Sequence, residues 1–158
     1  MPVTRVVKDA DARTMTITAR FDAPIERVWR LWSDPRQLER WWGPPGYPAT
    51  VTEHDLVPGG TVAYAMTGPN GDQHTGWWRV RAVDAPHALE FEDGAAELPT
   101  GAIRVALAAL AGGGTEMVLT ASWDSAEAMQ RIFDTGTDAG MTAAIGQMDE
   151  LLDPRRTA

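Results

Sequence analysis

Residues 14–32 read TMTITARFDAPIERVWRLW, and the spacing of the apolar side chains changes in the middle of them. Up to Phe21 every second side chain is apolar, which predicts a strand with one buried face. After Pro24 the apolar residues follow the spacing i, i+3, i+4 and i+7 from Ile25 to Trp32, which predicts an amphipathic helix. The chain is therefore expected to begin its core with a strand that leads directly into a helix.

A second short helix and a series of strands are predicted to follow. Asp34 can cap the helix, Pro35 suits its first position, and the GPPG sequence at 43–46 ends it. Beyond it, alternating segments separated by turn residues predict an antiparallel meander. The predicted strands cover residues 51–56, 61–67, 75–83, 88–92, 101–110 and 116–123.

The last segment is predicted to be one long helix, from Asp124 or Ser125 to about Leu152, with Pro154 ending it. Gly136 and Gly140 fall in the middle of this helix, where each glycine costs about 1 kcal/mol relative to alanine. Two explanations are open. Either the helix approaches the sheet closely at these positions, or the small residues leave room for a ligand.

This order of elements predicts an α+β fold, because the helices are segregated from an antiparallel sheet. We expect a curved sheet of about six to seven strands, two short helices after the first strand, and the long C-terminal helix packed across the sheet. Residues 1–158 are expected to form a single domain with its core at about 13–153. A long helix on a curved sheet contacts it at the ends and stands off in the middle, so a cavity is expected between them.

The composition excludes several functional classes. The chain has 158 residues and a net charge of −8, which argues against nucleic acid and anionic membranes as partners. It has no cysteine, which excludes disulfides, thiolate zinc sites and cysteine nucleophiles. Neither an N-terminal apolar signal region nor a membrane-spanning run is apparent, so a cytoplasmic protein is expected.

The side chains that could carry chemistry are few. His54, His74 and His87 form no metal-binding pair, so no metal, cofactor or catalytic residue is assigned from the sequence. Trp41 and Trp42, next to the rigid GPPG loop, are the most distinctive pair. They could form the mouth of a cavity, or one could fill the core while the other covers its edge.

Several segments together resemble a known family, the one named after the activator of the heat shock protein 90 ATPase, which belongs to the START-like superfamily (also called SRPBCC or helix-grip). The resemblance covers about residues 13 to 153. Five pieces carry it, in this order: FDAPIERVW at 21–29; Asp34-Pro35 with Leu38 and WWGP at 41–44; Asp55 with PGG at 58–60; GWWRV at 76–80 with Asp84, Pro86 and Leu89; and the helix around Gly140, Met148 and Leu152.

The resemblance implies a helix-grip fold and, in many relatives, a hydrophobic ligand cavity. One departure is visible, since relatives often have Gly-Trp where this chain has Gly140-Met141. The softer methionine is expected to change the shape of the cavity. The eukaryotic namesake has an additional N-terminal chaperone-binding domain, which is not expected within the 158 residues of this chain, so chaperone activation is not carried over from the resemblance.

The leading hypothesis is a START-like protein that binds a small apolar or amphipathic molecule between the sheet and the last helix. Two alternatives are a cyclase- or hydrolase-like enzyme that uses polar groups in the cavity, and a module that interacts with a chaperone. A homodimer formed through a strand edge or the Trp-rich helices is left open. From alternation and helical phase, the residues expected to line the cavity are Trp32, Trp42, Tyr64, Met66, Trp78, Phe91, Met129, Phe133 and Gly136.

Overall fold

The computed structural model describes residues 2–95 and 98–152. Within this part of the chain there are eight strands and four helices. The strands are β1 (Val3–Asp9), β2 (Thr14–Phe21), β3 (Ala49–His54), β4 (Thr61–Thr67), β5 (Gln73–Asp84), β6 (Ala88–Ala95), β7 (Gly101–Ala109) and β8 (Thr115–Ser122). The helices are α1 (Ile25–Ser33), α2 (Pro35–Leu38), α3 (Ala126–Asp134) and α4 (Thr137–Leu152).

The strands form one antiparallel sheet in the order β1-β2-β8-β7-β6-β5-β4-β3. The α+β helix-grip fold predicted from the sequence is confirmed, with eight strands where six to seven were expected. The additional strand is β1, which lies at one edge of the sheet and pairs with β2. Most of its side chains are exposed, so it lacks the buried alternation by which the other strands were recognised.

The two short helices begin as the sequence predicts. The Asp34 side chain caps α2, since its carboxylate accepts a hydrogen bond from the backbone N–H of Arg36 at 2.9 Å. Helix α1 buries one face, which includes Val28 and Trp32. Helix α1 lies against β7 and α4, and α2 lies against β3.

The long C-terminal helix is interrupted, which corrects the prediction of one continuous helix. Ser125 caps α3 as expected, with its hydroxyl accepting from the backbone N–H of Ala128 at 3.0 Å. The helix ends after Asp134, and α4 begins at Thr137. Between them Gly136 has a φ of +81°, a left-handed conformation that glycine adopts without the penalty of a Cβ atom.

The interruption gives the two glycines different roles. Gly136 is required by the backbone between α3 and α4, and a Cβ atom built on it would meet no atom within 4 Å. Gly140 lies inside α4, where an added Cβ would make ordinary contact with Pro44, at 3.7 Å from its Cγ. Neither glycine therefore marks a helix pressed against the sheet, although Gly140 does face the loop after α2.

The centre of the core is a cluster of aromatic rings on one side of the sheet. Trp32 of α1 lies 4.7 Å from Trp41 and 6.0 Å from Trp78, measured between ring centroids. Trp78 of β5 stacks on Phe91 of β6 at 4.0 Å. Trp32, Trp41, Trp78 and Phe91 are each fully buried. This aromatic cluster (Trp32, Trp41, Trp78 and Phe91) holds α1, the loop and the sheet together.

In the part of the chain that the structure describes, no helix has both the length and the apolar character needed to cross a bilayer.

Candidate ligand pocket

A pocket of about 550 Å³ lies between the sheet and the C-terminal helices. Its size falls in the range of small-molecule sites in proteins, roughly 300–1,000 Å³. One wall is formed by strands β4 to β8, and the opposite wall by the end of α3 and the first half of α4. The loop after α2, including Trp41, Trp42, Pro44 and Tyr47, closes one side.

The loop side of the pocket is fixed by contacts between α4 and the Trp-Gly-Pro segment. The Gln147 side chain of α4 donates hydrogen bonds to the carbonyl oxygens of Gly43 at 2.7 Å and Trp41 at 3.2 Å. The Trp41 indole N–H donates to the carbonyl of Leu31 at 2.8 Å. Trp41 and Trp42 are both buried and both line the pocket, so they combine the core and cavity roles that the sequence left as alternatives.

Among the described residues that line the pocket, Asp93 of β6 is the one with a carboxyl group. The side chain is largely surrounded by protein, and burial raises its pKa from the ordinary value of 3.8 to about 6. Across the sheet, Asp93 pairs with Trp78 on β5 and with Gly101 on β7. Within the described residues, no side chain forms a hydrogen bond or ion pair with this carboxyl group.

The hydroxyl group of Tyr64 is a second polar group of the pocket. Its ring lies across the neighbouring strand at Gly76, where a Cβ atom would come within 2.4 Å of the hydroxyl oxygen. Burial is the main cause that raises the pKa of Tyr64, and the charge of Asp93 raises it further. The indole N–H groups of Trp42 and Trp78 act in the opposite direction but do not offset burial. Tyr64 therefore stays protonated and can act as a hydrogen-bond donor at neutral pH.

Trp42 adds a donor without a partner. Its indole N–H is buried, and neither it nor that of Trp78 reaches a hydrogen bond of acceptable geometry, despite their proximity to Tyr64. Buried donors of this kind are uncommon, because an unsatisfied N–H loses its hydration without compensation. Since Trp42 lines the pocket, a bound molecule or water could supply the acceptor.

Residues 22–153 match the model of one protein family, described as Activator of Hsp90 ATPase homolog 1-like protein. The chain belongs to this family. The match covers most of the chain and agrees with the resemblance seen in its sequence motifs. No curated protein matches the chain.

Solved structures of similar proteins include two that share more than 40% of their sequence with this chain. The chain is 45% identical to protein Ms6760 from Mycobacterium smegmatis, with 97% of this chain and 98% of that chain covered and a TM-score of 0.89. It is 42% identical to a protein from Arthrobacter aurescens, with 95% and 91% covered and a TM-score of 0.91. CalU16 from Micromonospora echinospora shares the fold at 22% identity and a TM-score of 0.62, with 90% and 77% covered.

In this family member, four of the nine residues expected to line the cavity do so: Trp42, Tyr64, Met66 and Gly136. Three others, Trp32, Trp78 and Phe91, belong to the aromatic cluster and do not reach the pocket. Trp42 separates the two regions, since its ring lies 5.0 Å from Trp78 and 6.0 Å from Tyr64. The inward direction of these side chains was predicted correctly, but they pack against one another in the aromatic cluster and are not part of the pocket wall.

Met129 and Phe133 were also expected in the cavity, and the structure places them elsewhere. They line a separate depression at the surface of α3, together with Lys8 and Ala10. The Lys8 ammonium lies 4.6 Å from the centre of the Phe133 ring. The prediction placed Met129 and Phe133 by assuming one continuous helix. Because the helix breaks at Gly136, the helical phase of α4 does not continue into α3, and these two side chains face another direction.

Asp93 is the polar pocket residue that the sequence reasoning missed. The sequence contains a signal for this position, because Leu89, Phe91 and Asp93 are two residues apart and therefore share the inward face of β6. The predicted strand ended at residue 92, whereas β6 extends to Ala95.

His74 lies at the rim of the pocket, mostly exposed and paired with Asp72 at 3.0 Å. Among the described residues, no cluster of three His, Asp or Glu side chains could hold a metal ion.

The raised pKa of Asp93 predicts a pH-dependent cost to stability. The folded state binds the proton more tightly than the unfolded chain, so the favourable contribution of protonated Asp93 is lost as the pH rises from about 4 through 6. Asp93→Asn removes this loss. We expect the difference in unfolding free energy between the variant and the wild type to shift by about 2 kcal/mol in favour of the variant when the pH is raised from 4 to 8. Urea denaturation of both proteins at the two pH values measures it, and a difference independent of pH would contradict it.

Proposed function

We propose that this protein binds a small, largely apolar molecule in the pocket between the sheet and α4. The observation that carries the proposal is the pocket itself, about 550 Å³ beside a core whose aromatic rings are otherwise closely packed. Its wall combines aromatic rings with a few polar groups, the usual arrangement of sites for small organic ligands. The cavity that the family resemblance implies supports the same function.

A pair of glycine substitutions in α4 tests the proposal. In Gly140→Leu, the new side chain extends into the pocket beside Pro44, because Gly140 is part of the pocket wall. Gly146→Leu is the matched control, since Gly146 is in the same helix, does not line the pocket and has open space around its Cβ position. Both changes improve helix propensity to the same degree.

We expect naphthylethanol, used as a neutral apolar probe, to bind the wild type and the Gly146→Leu variant with similar affinity. Binding to the Gly140→Leu variant is expected to be weaker by at least about tenfold, because the leucine occupies ligand volume. Isothermal titration calorimetry measures the three affinities, and circular dichroism confirms that the variants are folded. Equal binding by all three proteins would show that the probe binds elsewhere.

An enzymatic function, of the cyclase or hydrolase type, is the second candidate. One observation favours it: the Asp93 carboxyl group faces the pocket with a pKa of about 6, which suits a general acid or base near neutral pH. If the protein is an enzyme, Asp93→Asn abolishes turnover while the pocket still binds the substrate. A binding protein without catalysis returns the bound molecule chemically unchanged, which mass spectrometry of the recovered ligand detects.

The chaperone-interacting alternative draws no comparable support from the described residues. Their exposed large apolar side chains are Val6, Val7 and Val57. The first two lie on β1 at one edge of the sheet, and Val57 follows β3 at the other edge. They do not form one continuous patch of the kind that marks a protein interface.

A further inference from the structure

The described residues of the pocket wall include a carboxyl group but no cationic partner for it. Asp93 contributes a carboxyl group, yet no lysine or arginine is among the described residues that line the pocket. The remaining titratable side chains of the wall are His74 of β5, Tyr64 of β4 and Tyr47 of the loop. His74 faces Asp72 at the rim and pairs with it. The described parts of α3 and α4 contribute no charged side chain to the wall.

A carboxylate in such surroundings requires a partner. Burying an unpaired charge is unfavourable, and the cost is relieved either by protonation or by an opposite charge with hydrogen bonds. Protonation accounts for the elevated pKa, but at about 6 it still leaves most molecules ionised at pH 7. At neutral pH a cationic group of a ligand could supply the opposite charge that the described residues of the wall lack.

The other groups of the wall suit a cation with an apolar body. The rings of Trp42, Tyr47, Tyr64 and Trp123 all line the pocket. Aromatic faces attract ammonium groups, and they also provide apolar contact surface. The net charge of −8 adds a long-range field that favours the approach of cations over anions.

We propose that the ligand of this pocket is an apolar molecule that carries one protonated amine, with Asp93 as its counter-ion. This inference rests on the proposed binding function and specifies the class of ligand. The amine lies against the Asp93 carboxylate, and the apolar body fills the space between Met66 and the first turns of α4. Trp42 and Tyr64, which both line the pocket, contribute their rings to the contact with the apolar body.

Three probes of the same shape separate the charge from the apolar contact. They are naphthylethylamine, naphthylethanol and naphthylacetic acid, titrated by calorimetry into the full chain at pH 7.5. We expect the amine to bind at least about tenfold more tightly than the alcohol, and the acid to bind most weakly. In Asp93→Asn the preference for the amine is expected to disappear while the affinity for the alcohol is retained.

The pH dependence of the wild type provides a second measurement that does not depend on the folding of a variant. As the pH falls from 7.5 to 5, Asp93 takes up its proton and the affinity for the amine is expected to fall severalfold, while the affinity for the alcohol stays constant. Histidine also changes charge in this range. The titration is therefore repeated with His74→Gln, in which the fall persists if Asp93 is its cause.

The outcomes distinguish this inference from the function on which it rests. Equal affinities for the amine and the alcohol would overturn the amine proposal and leave the binding function intact. Tightest binding of the acid would also overturn it, because Asp93 would then act as a protonated donor. If none of the three probes binds, both the binding function and the amine proposal are wrong.

Discussion

The Trp32→Ala variant is expected to lose about 3–5 kcal/mol of unfolding free energy, the cost typical of removing a large aromatic side chain from a core. Trp32 has no exposed surface, and its ring contacts those of Trp41, Trp42, Trp78 and Phe91. A small domain is stable by only about 5–15 kcal/mol in total. The variant is therefore expected to unfold at much lower urea concentration.

The effect has two physical parts. Removing the indole loses the transfer free energy of its buried surface, and the remaining rings cannot collapse fully into the cavity that it leaves. The indole N–H of Trp32 has no hydrogen-bond partner, so the substitution breaks no hydrogen bond of this side chain. Packing alone accounts for the expected destabilisation.

Trp29→Ala is the matched control, because Trp29 lies on the same helix α1 and is only partly buried. Trp29→Ala is expected to lower the unfolding free energy clearly less than Trp32→Ala does. Urea denaturation, followed by circular dichroism because the tryptophan fluorescence itself changes, measures both. Similar costs for the two variants would contradict the central place given to Trp32.

The second large effect is expected at Gly43. A Cβ atom at this position would lie 2.0 Å from the carbonyl oxygen of Tyr47 and 2.8 Å from the backbone nitrogen of Ala49. Both neighbours are backbone atoms, so the chain itself has to move. Gly43→Ala is expected to cost about 2–4 kcal/mol, in the range of strongly destabilising single mutations. It is also expected to weaken probe binding, because the loop that carries Trp42 forms part of the pocket.

Gly46→Ala, three residues further along the same loop, is the control for this second prediction. Gly46 has a φ of +88°, but an added Cβ would meet nothing within 4 Å. Its expected cost is about 1–2 kcal/mol, from the left-handed backbone alone. Denaturation and calorimetric titration of both variants separate the effect of a Cβ atom that clashes with the backbone from the effect of a left-handed backbone conformation. A smaller cost at Gly43 than at Gly46 would contradict the assigned contact.

The fold could be predicted from the sequence because most of its elements are buried on one face. The alternation from Met15 to Phe21 and the spacing from Ile25 to Trp32 both reflect that burial. Strand β1 could not be recognised in this way, since most of its side chains are exposed and it lies at the edge of the sheet, with β2 as its partner.

The helix break had a signal in the sequence that was interpreted differently. The apolar residues of the last segment do not keep to one helical face, since Met129 and Phe133 lie on a different face from Met141, Ile145 and Met148. Gly136 was attributed to the interior of one helix, whereas its positive φ separates two. The pocket depends on this break and on how far α4 stands from the sheet. These are properties of the assembled fold, and periodicity alone does not give them.

The central claim is that the pocket binds a small molecule, and the tryptophan side chains test it directly. The indole N–H signals of the chain can be followed by nuclear magnetic resonance during titration with naphthylethanol, after assignment by single Trp→Phe variants. Trp42 and Trp123 line the pocket, whereas Trp29 and Trp77 do not. Binding in the pocket is expected to give saturable shifts of the Trp42 and Trp123 signals while those of Trp29 and Trp77 stay in place. Saturable shifts confined to Trp29 and Trp77, or no shift at any probe concentration, would contradict it.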